Sequence, residues 1–173
     1  IHEVVERISG LHGNKSHVTG IPTGFPSFDK MTSGFQPGQL VILAARPAMG
    51  KSSFAANIAE HCALDQKIPV LFFSVEMGSA EVGLRFIATR SRVEMQKLRT
   101  GQYDHQNDFP YITRAASELK NAPLYIEDSV STLSELRARA RRMKHKYGIK
   151  LVIIDYLQLL SLGLRSENKQ QEV

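Results

Sequence analysis

Cysteine is nearly missing from this sequence. Cys62 is the single one among 173 residues, which excludes a disulfide framework and a multi-cysteine zinc site. It lies in H-C-A-L, inside a helical pattern, and reads as a buried bystander in place of a reactive thiol. Long hydrophobic runs are also lacking. Val41–Ala45 and Leu151–Ile154 are among the longest, far short of the ~20 apolar residues that a bilayer span requires. No charged-then-apolar leader opens the chain. A cytoplasmic protein with no membrane partner is therefore expected. Internal repeats and low-complexity tracts are absent as well.

What remains is ordinary globular composition. Hydrophobic residues make up 42% and charged residues 23%, enough for one domain with a real core. The net charge is +5 and unevenly spread: Arg137, Arg139, Arg141, Arg142, Lys144, Lys146 and Lys150 face only Glu135 between Ser134 and Lys150. Such a balance favours anionic partners without identifying one.

Periodicity supplies the organisation. Ile1, Val4, Val5, Ile8 and Leu11 fall at helical spacing before Gly10 and Gly13 break the pattern. So short a helix does not stand alone in water. It packs on something outside its own domain, is a fragment of a longer helix, or folds back on its own core. Gly13 to Gly38 is rich in turn formers. Gln39–Ala45 reads as a strand buried on both faces, and Ser52–Leu64 as a helix. Pro69–Ser74 predicts a second strand, Ser79 to about Arg92 a second helix, and the polar Leu98–Phe109 a loop. A third helix is expected over Pro110–Lys120 and a third strand over Leu124–Glu127. A fourth helix follows at Leu133–Tyr147, opened by the capping-box pair Thr132 and Glu135. A fourth strand, Lys150–Ile154, ends at Asp155. Strands alternating with helices imply an α/β fold, a parallel β-sheet flanked by helices on both faces.

One stretch carries chemistry. A-A-R-P-A-M-G-K-S-S, Ala44–Ser53, approximates the phosphate-loop pattern G-x-x-x-x-G-K-[ST], with Ala45 in place of its first glycine. It follows an apolar run and precedes a helix, as a phosphate loop must. Backbone amides of Ala45, Arg46, Pro47, Ala48, Met49, Gly50, Lys51, Ser52 and Ser53 would surround an anion at a helix N-terminus, proline contributing no donor. Lys51 would reach the β- and γ-phosphates and the Ser52 hydroxyl would hold Mg²⁺. The implied ligands are ATP and Mg²⁺. Ala45 is tolerable if its φ stays negative, whereas Gly50 supplies a conformation closed to side chains.

Hydrolysis also needs a carboxylate on the metal side and a group to orient water. Asp155 closes V-I-I-D, and Glu76 follows F-F-S-V. Ligands gather at the carboxyl ends of strands in open parallel sheets, so Asp155 is placed for the Mg²⁺ shell and Glu76 for the lytic water. For each acid the alternative is a solvated turn residue. On Leu133–Tyr147, the residues Leu133, Leu136, Ala140, Met143 and Tyr147 form a core-facing stripe. The cations cover the remaining surface, which reads as a solvated face more readily than as a nucleic-acid surface, because no aromatics interleave them.

The run Gly20–Ser52, with F-F-S-V-E-M, I-I-D-Y-L-Q-L-L and R-S-E-N-K-Q-Q-E-V in order after it, resembles the DnaB-type family of bacterial replicative DNA helicases over nearly the whole chain. The family characteristically carries alanine at the Ala45 position. The resemblance implies a RecA-like P-loop NTPase core over 14–173, preceded by a short linker helix at 1–13 that docks on an adjacent subunit. It implies a homo-hexamer around single-stranded DNA, ATP between neighbours, 5′-to-3′ movement, and partners of the primase and helicase-loader type. By position, Lys51, Glu76 and Arg85 match catalytic residues, and Ser52 and Asp155 the metal side. The family's N-terminal helical domain and later motor segments fall outside these residues, so the 173 residues alone are not expected to unwind DNA. Three other readings share the phosphate loop: a RecA/RadA-like recombinase ATPase, a phosphotransferase to a small acceptor, and a non-catalytic nucleotide-gated scaffold.

Overall fold

The computed structural model describes residues 18–46 and 48–156. The linker helix expected at 1–13, the motif run at 165–173 and Pro47 lie outside the described residues. The chain divides after Cys62 into two compact units, and each is described by itself.

In the first unit the turn-rich stretch holds a helix that composition conceals. Helix α1 spans Pro26–Thr32. Proline is counted as a turn former, yet here it opens the helix, where its fixed φ is already helical and its missing N–H is not needed. The helix ends at Ser33, which takes a left-handed conformation with φ 59°. An antiparallel bridge between Ile21 and Phe35 brackets it. Asp29, buried inside this turn, accepts the Thr23 N–H at 2.9 Å and the Thr23 hydroxyl at 2.7 Å. Phe25 stacks on Phe54 with ring centroids 4.6 Å apart, joining α1 to helix α2, Lys51–Glu60, which a π-helical turn continues over His61–Asp65. Cys62 is fully buried there and its thiol donates to the Pro22 carbonyl at 3.2 Å, as befits a bystander.

One expectation fails in this unit. Gln39–Ala45 is not a strand, and Leu40 and Ile42 are 84% and 81% exposed. A strand buried on both faces needs ladder partners at its edges, and no described residues form a ladder with this run.

The second unit is a three-stranded parallel sheet, with strands β1 Val70–Ser74, β2 Leu124–Glu127 and β3 Leu151–Asp155 in the order β2-β1-β3. The central strand β1 is buried along its whole length, as its unbroken V-L-F-F run predicts. Between β1 and β2 lie helices α3 Ser79–Ser91, α4 Met95–Thr100 and α5 Phe109–Lys120. The residues of α4 overlap the expected loop, so that expectation is corrected: Gly101, with φ 71°, caps a helix that begins before Leu98. Between β2 and β3 runs α6, Leu133–Tyr147, with its capping box formed by Thr132 and Glu135.

Alternation along β1 separates the two faces. Leu71 and Phe73 pack with Leu136 of α6, backed by Ala140, Met143 and Tyr147. Phe72 points the other way and meets Phe86 of α3 edge-on, centroids 6.0 Å apart. Helices therefore pack on both faces of β1. No described helix is long and apolar enough to cross a membrane.

Candidate active site

The loop before α2 has the backbone of an anion cradle. Ala48 and Gly50 both adopt positive φ, 62° and 83°, with Met49 between them outside that region. Alternating handedness of this kind turns successive amides toward a common point. The Met49 N–H donates to the Arg46 carbonyl at 3.3 Å, and the first helical bond runs from Phe54 N–H to the Gly50 carbonyl at 2.9 Å. No side chain caps the α2 N-terminus. Ala45, Arg46, Ala48, Met49, Gly50 and Ser53 are exposed, and Lys51 and Ser52 half-buried. The left-handed alanine was not foreseen. Only the Gly-Lys-Ser portion of the motif signals a special backbone, and Ala48 shares it.

In the second unit the register of the sheet brings the two acids together at one end. Ser74, the last residue of β1, lies opposite Asp155, the last of β3. The Val75 N–H extends the ladder to the Asp155 carbonyl at 2.9 Å. Glu76 stands one residue further on, exposed, in the bend Val75–Met77 that leads toward α3, and the Ser74 hydroxyl closes that bend by donating to the Met77 carbonyl at 2.7 Å. Asp155 is buried. The two carboxylates thus differ in environment, one in water and one packed.

A third acid at the same end escaped the sequence reading. Asp128 follows β2, and its Oδ2 accepts the Ser79 N–H, the first of α3, at 2.6 Å. The backbone and hydroxyl of Ser79 hold the Asp128 carboxyl below the usual carboxylate range. The signal was present, since L-Y-I-E-D places an acid just past an apolar strand, as V-I-I-D does.

Residues 20–173 match the family described as DnaB-like helicase C terminal domain. The chain belongs to that family. It is 43% identical over 170 residues to the replicative DNA helicase DnaB of Leifsonia xyli subsp. xyli (strain CTCB07), covering 98% of this chain and 37% of that protein. It is 42% identical over 173 residues to the replicative DNA helicase DnaC of Bacillus subtilis (strain 168), covering 99% and 38%. The chain thus spans a little over a third of the length of these relatives. Among solved structures, one described as an ATPase domain superposes with a TM-score of 0.84 at 32% identity, over 92% of this chain and 57% of that one. A DnaB-like replicative helicase described with its interactions with primase gives 0.81 at 32% identity, over 93% and 39%. These likenesses bear out the RecA-like ATPase fold and favour the helicase family over the recombinase and phosphotransferase readings.

Two further features fall within this DnaB-like frame. Arg85 lies in α3, its Nη2 3.9 Å from Glu81 Oε1, while its buried Nε has no hydrogen-bond partner among the described residues. Among the described residues no three His, Cys, Asp or Glu side chains cluster as a metal site. Mg²⁺ takes one or two protein oxygens plus substrate phosphates and keeps its remaining waters. The hydroxyl of Ser52 and the carboxylate of Asp155 are donors of the right chemistry.

Proposed function

We propose that the protein carrying this chain is an ATP-driven, 5′-to-3′ replicative DNA helicase of the cytoplasm, working as a homo-hexamer on single-stranded DNA with primase and a loader as partners. The family match over residues 20–173 supports this reading most directly, and the shared sheet end of Glu76 and Asp155 supports the chemistry. Residues 1–13 serve as a linker helix to the neighbouring subunit and 14–173 as motor core.

ATP binds on the amides of Ala45–Ser53, with Lys51 on its β- and γ-phosphates. Ser52 and Asp155 would hold Mg²⁺, whose charge would offset that of the phosphates. Glu76 orients the attacking water and takes its proton, a role suited to an exposed carboxylate in reach of solvent. Arg85 answers the charge developing on the γ-phosphate.

The test is Glu76→Gln in the full-length protein. ATP hydrolysis stimulated by single-stranded DNA falls by about 10²–10⁴-fold, the range for loss of a general base, and unwinding of a forked duplex falls with it, while ATP binding persists. Undiminished hydrolysis removes Glu76 from the chemistry.

A further inference from the structure

Helix α3 begins without a cap of its own. Its N-cap residue is Gly78, which has no side chain to offer, and no side chain of the helix's own N-terminus supplies the bond. The orphan N–H groups of a first turn need partners. Here the partner comes from another strand: Asp128, just past β2, takes the Ser79 N–H at 2.6 Å, across 49 residues of sequence.

The consequence is local to Glu76. Only Glu76, Met77 and Gly78 separate Val75 from the first residue of α3. The near end of this bend is tied to β3 through Val75 N–H and the Asp155 carbonyl at 2.9 Å. Its middle is tied through the Ser74 hydroxyl and the Met77 carbonyl at 2.7 Å. Its far end is tied to β2 by Asp128. A bend of three residues held at three points has little freedom, so the direction in which Glu76 leaves the backbone depends on each tie. Gly78 is extended, with φ −63° and ψ 151°, and its carbonyl accepts the Glu81 and Val82 N–H groups at 3.0 and 3.1 Å, so the far end of the bend moves with the first turn of α3, which Asp128 holds.

We propose that Asp128 is a positioning residue for Glu76, clamping the start of α3 from the end of β2 and so fixing the far side of the bend that carries the acid. The proposal rests on the reading of Glu76 as the residue that orients the attacking water. It gives the end of β2, which bears no residue of the expected site, a function: Asp128, just past that strand, aims the Glu76 carboxylate just past β1 without touching the substrate.

Two substitutions break the clamp from opposite sides. Asp128→Ala removes the acceptor. Ser79→Pro removes the donor at the first helical position, where proline is well accommodated and the extended Gly78 is already in the conformation favoured before proline. Both are measured in the full-length protein by ATP hydrolysis with single-stranded DNA, alongside binding of a fluorescent ATP analogue. Each lowers kcat by about 10- to 100-fold, the scale of a misplaced reacting group. Each leaves KM and analogue affinity within about twofold, because binding contacts are untouched. Asp128→Asn keeps an acceptor oxygen and restores kcat to within about threefold of wild type, charge loss weakening the bond without removing it. In a Glu76→Gln background, Asp128→Ala adds no further loss. Full kcat in both clamp variants overturns the proposal, as does a loss confined to KM, or a loss that adds in full to that of Glu76→Gln. Wild-type turnover in Glu76→Gln alone defeats the water-orienting reading and the clamp with it, a result distinguishable from the other three.

Discussion

Ser74 and Asp155 face each other across β1 and β3 as the last paired residues of both strands. This register makes the sheet end an acidic edge, because one strand finishes on an acid and the other reaches an acid two residues later. A slip of one residue would turn Asp155 to the opposite face. The apolar patterns V-L-F-F and L-V-I-I therefore do more than build a core, since the same alternation aims the chemistry.

The handedness of Gly50 matters to the loop in the first unit. Gly50 has φ 83° and open space where a Cβ would sit, so Gly50→Ala introduces strain without a clash. Unfolding stability falls by roughly 1 kcal/mol, the cost of a left-handed alanine, and ATP affinity falls as the amides turn away. Gly101→Ala is the control, with φ 71° and equally open space. It costs similar stability and leaves ATP affinity unchanged. Urea unfolding and calorimetric titration separate the two.

Removing Asp29 strands a buried donor pair. Thr23 is fully buried and gives both its N–H and its hydroxyl to Asp29. Asp29→Ala destabilises by about 1–3 kcal/mol, the penalty for unsatisfied buried polar groups. Asp29→Asn, which retains an acceptor, costs less. Urea midpoints give the order.

Burial pushes the Cys62 thiol from its ordinary 9.0 up to about 12, and the Asp29 carboxylate adds to the rise. The folded protein holds this proton more tightly than the unfolded chain does. The associated stabilisation is complete below pH 9 and fades as the pH climbs toward 12. Iodoacetamide should leave native Cys62 unmodified at pH 8 and alkylate it readily in urea, as thiolate chemistry requires. The stability difference between wild type and Cys62→Ala narrows above pH 9.

Helix α6 shows its two faces by substitution. Leu136 is buried against Leu71 and Phe73, so Leu136→Ala costs about 2–5 kcal/mol. Arg141 is exposed, and Arg141→Ala stays within about 0.5 kcal/mol of wild type. Thermal unfolding of both variants checks the assignment.

The parts legible in the sequence were those where one local signal and the tertiary outcome agree. Helix α6 combined a capping box with an apolar stripe, and Leu136, Ala140, Met143 and Tyr147 face the sheet as that stripe requires. The three strands were continuous apolar runs and pair in parallel. Helix α1 was hidden because Pro26 serves turns and helix starts alike, and it packs through Phe25 and Phe28 on Phe54, contacts that no local window contains. The run Gln39–Ala45 shows the converse. Its apolar character announces suitability for burial, but a ladder depends on a neighbour. Asp128 was missed because its role is defined by Ser79, a partner 49 residues away.

Lys51, Glu76 and Asp155 are proposed to serve one Mg²⁺-bound triphosphate. The decisive measurement is a crystal structure of the full-length protein with Mg²⁺ and a non-hydrolysable ATP analogue. Lys51 is expected on the β- and γ-phosphates, Asp155 joined to the metal shell, and Glu76 hydrogen-bonded to a water facing the γ-phosphorus. A triphosphate seated on the loop with Glu76 and Asp155 turned away from it would contradict that assignment.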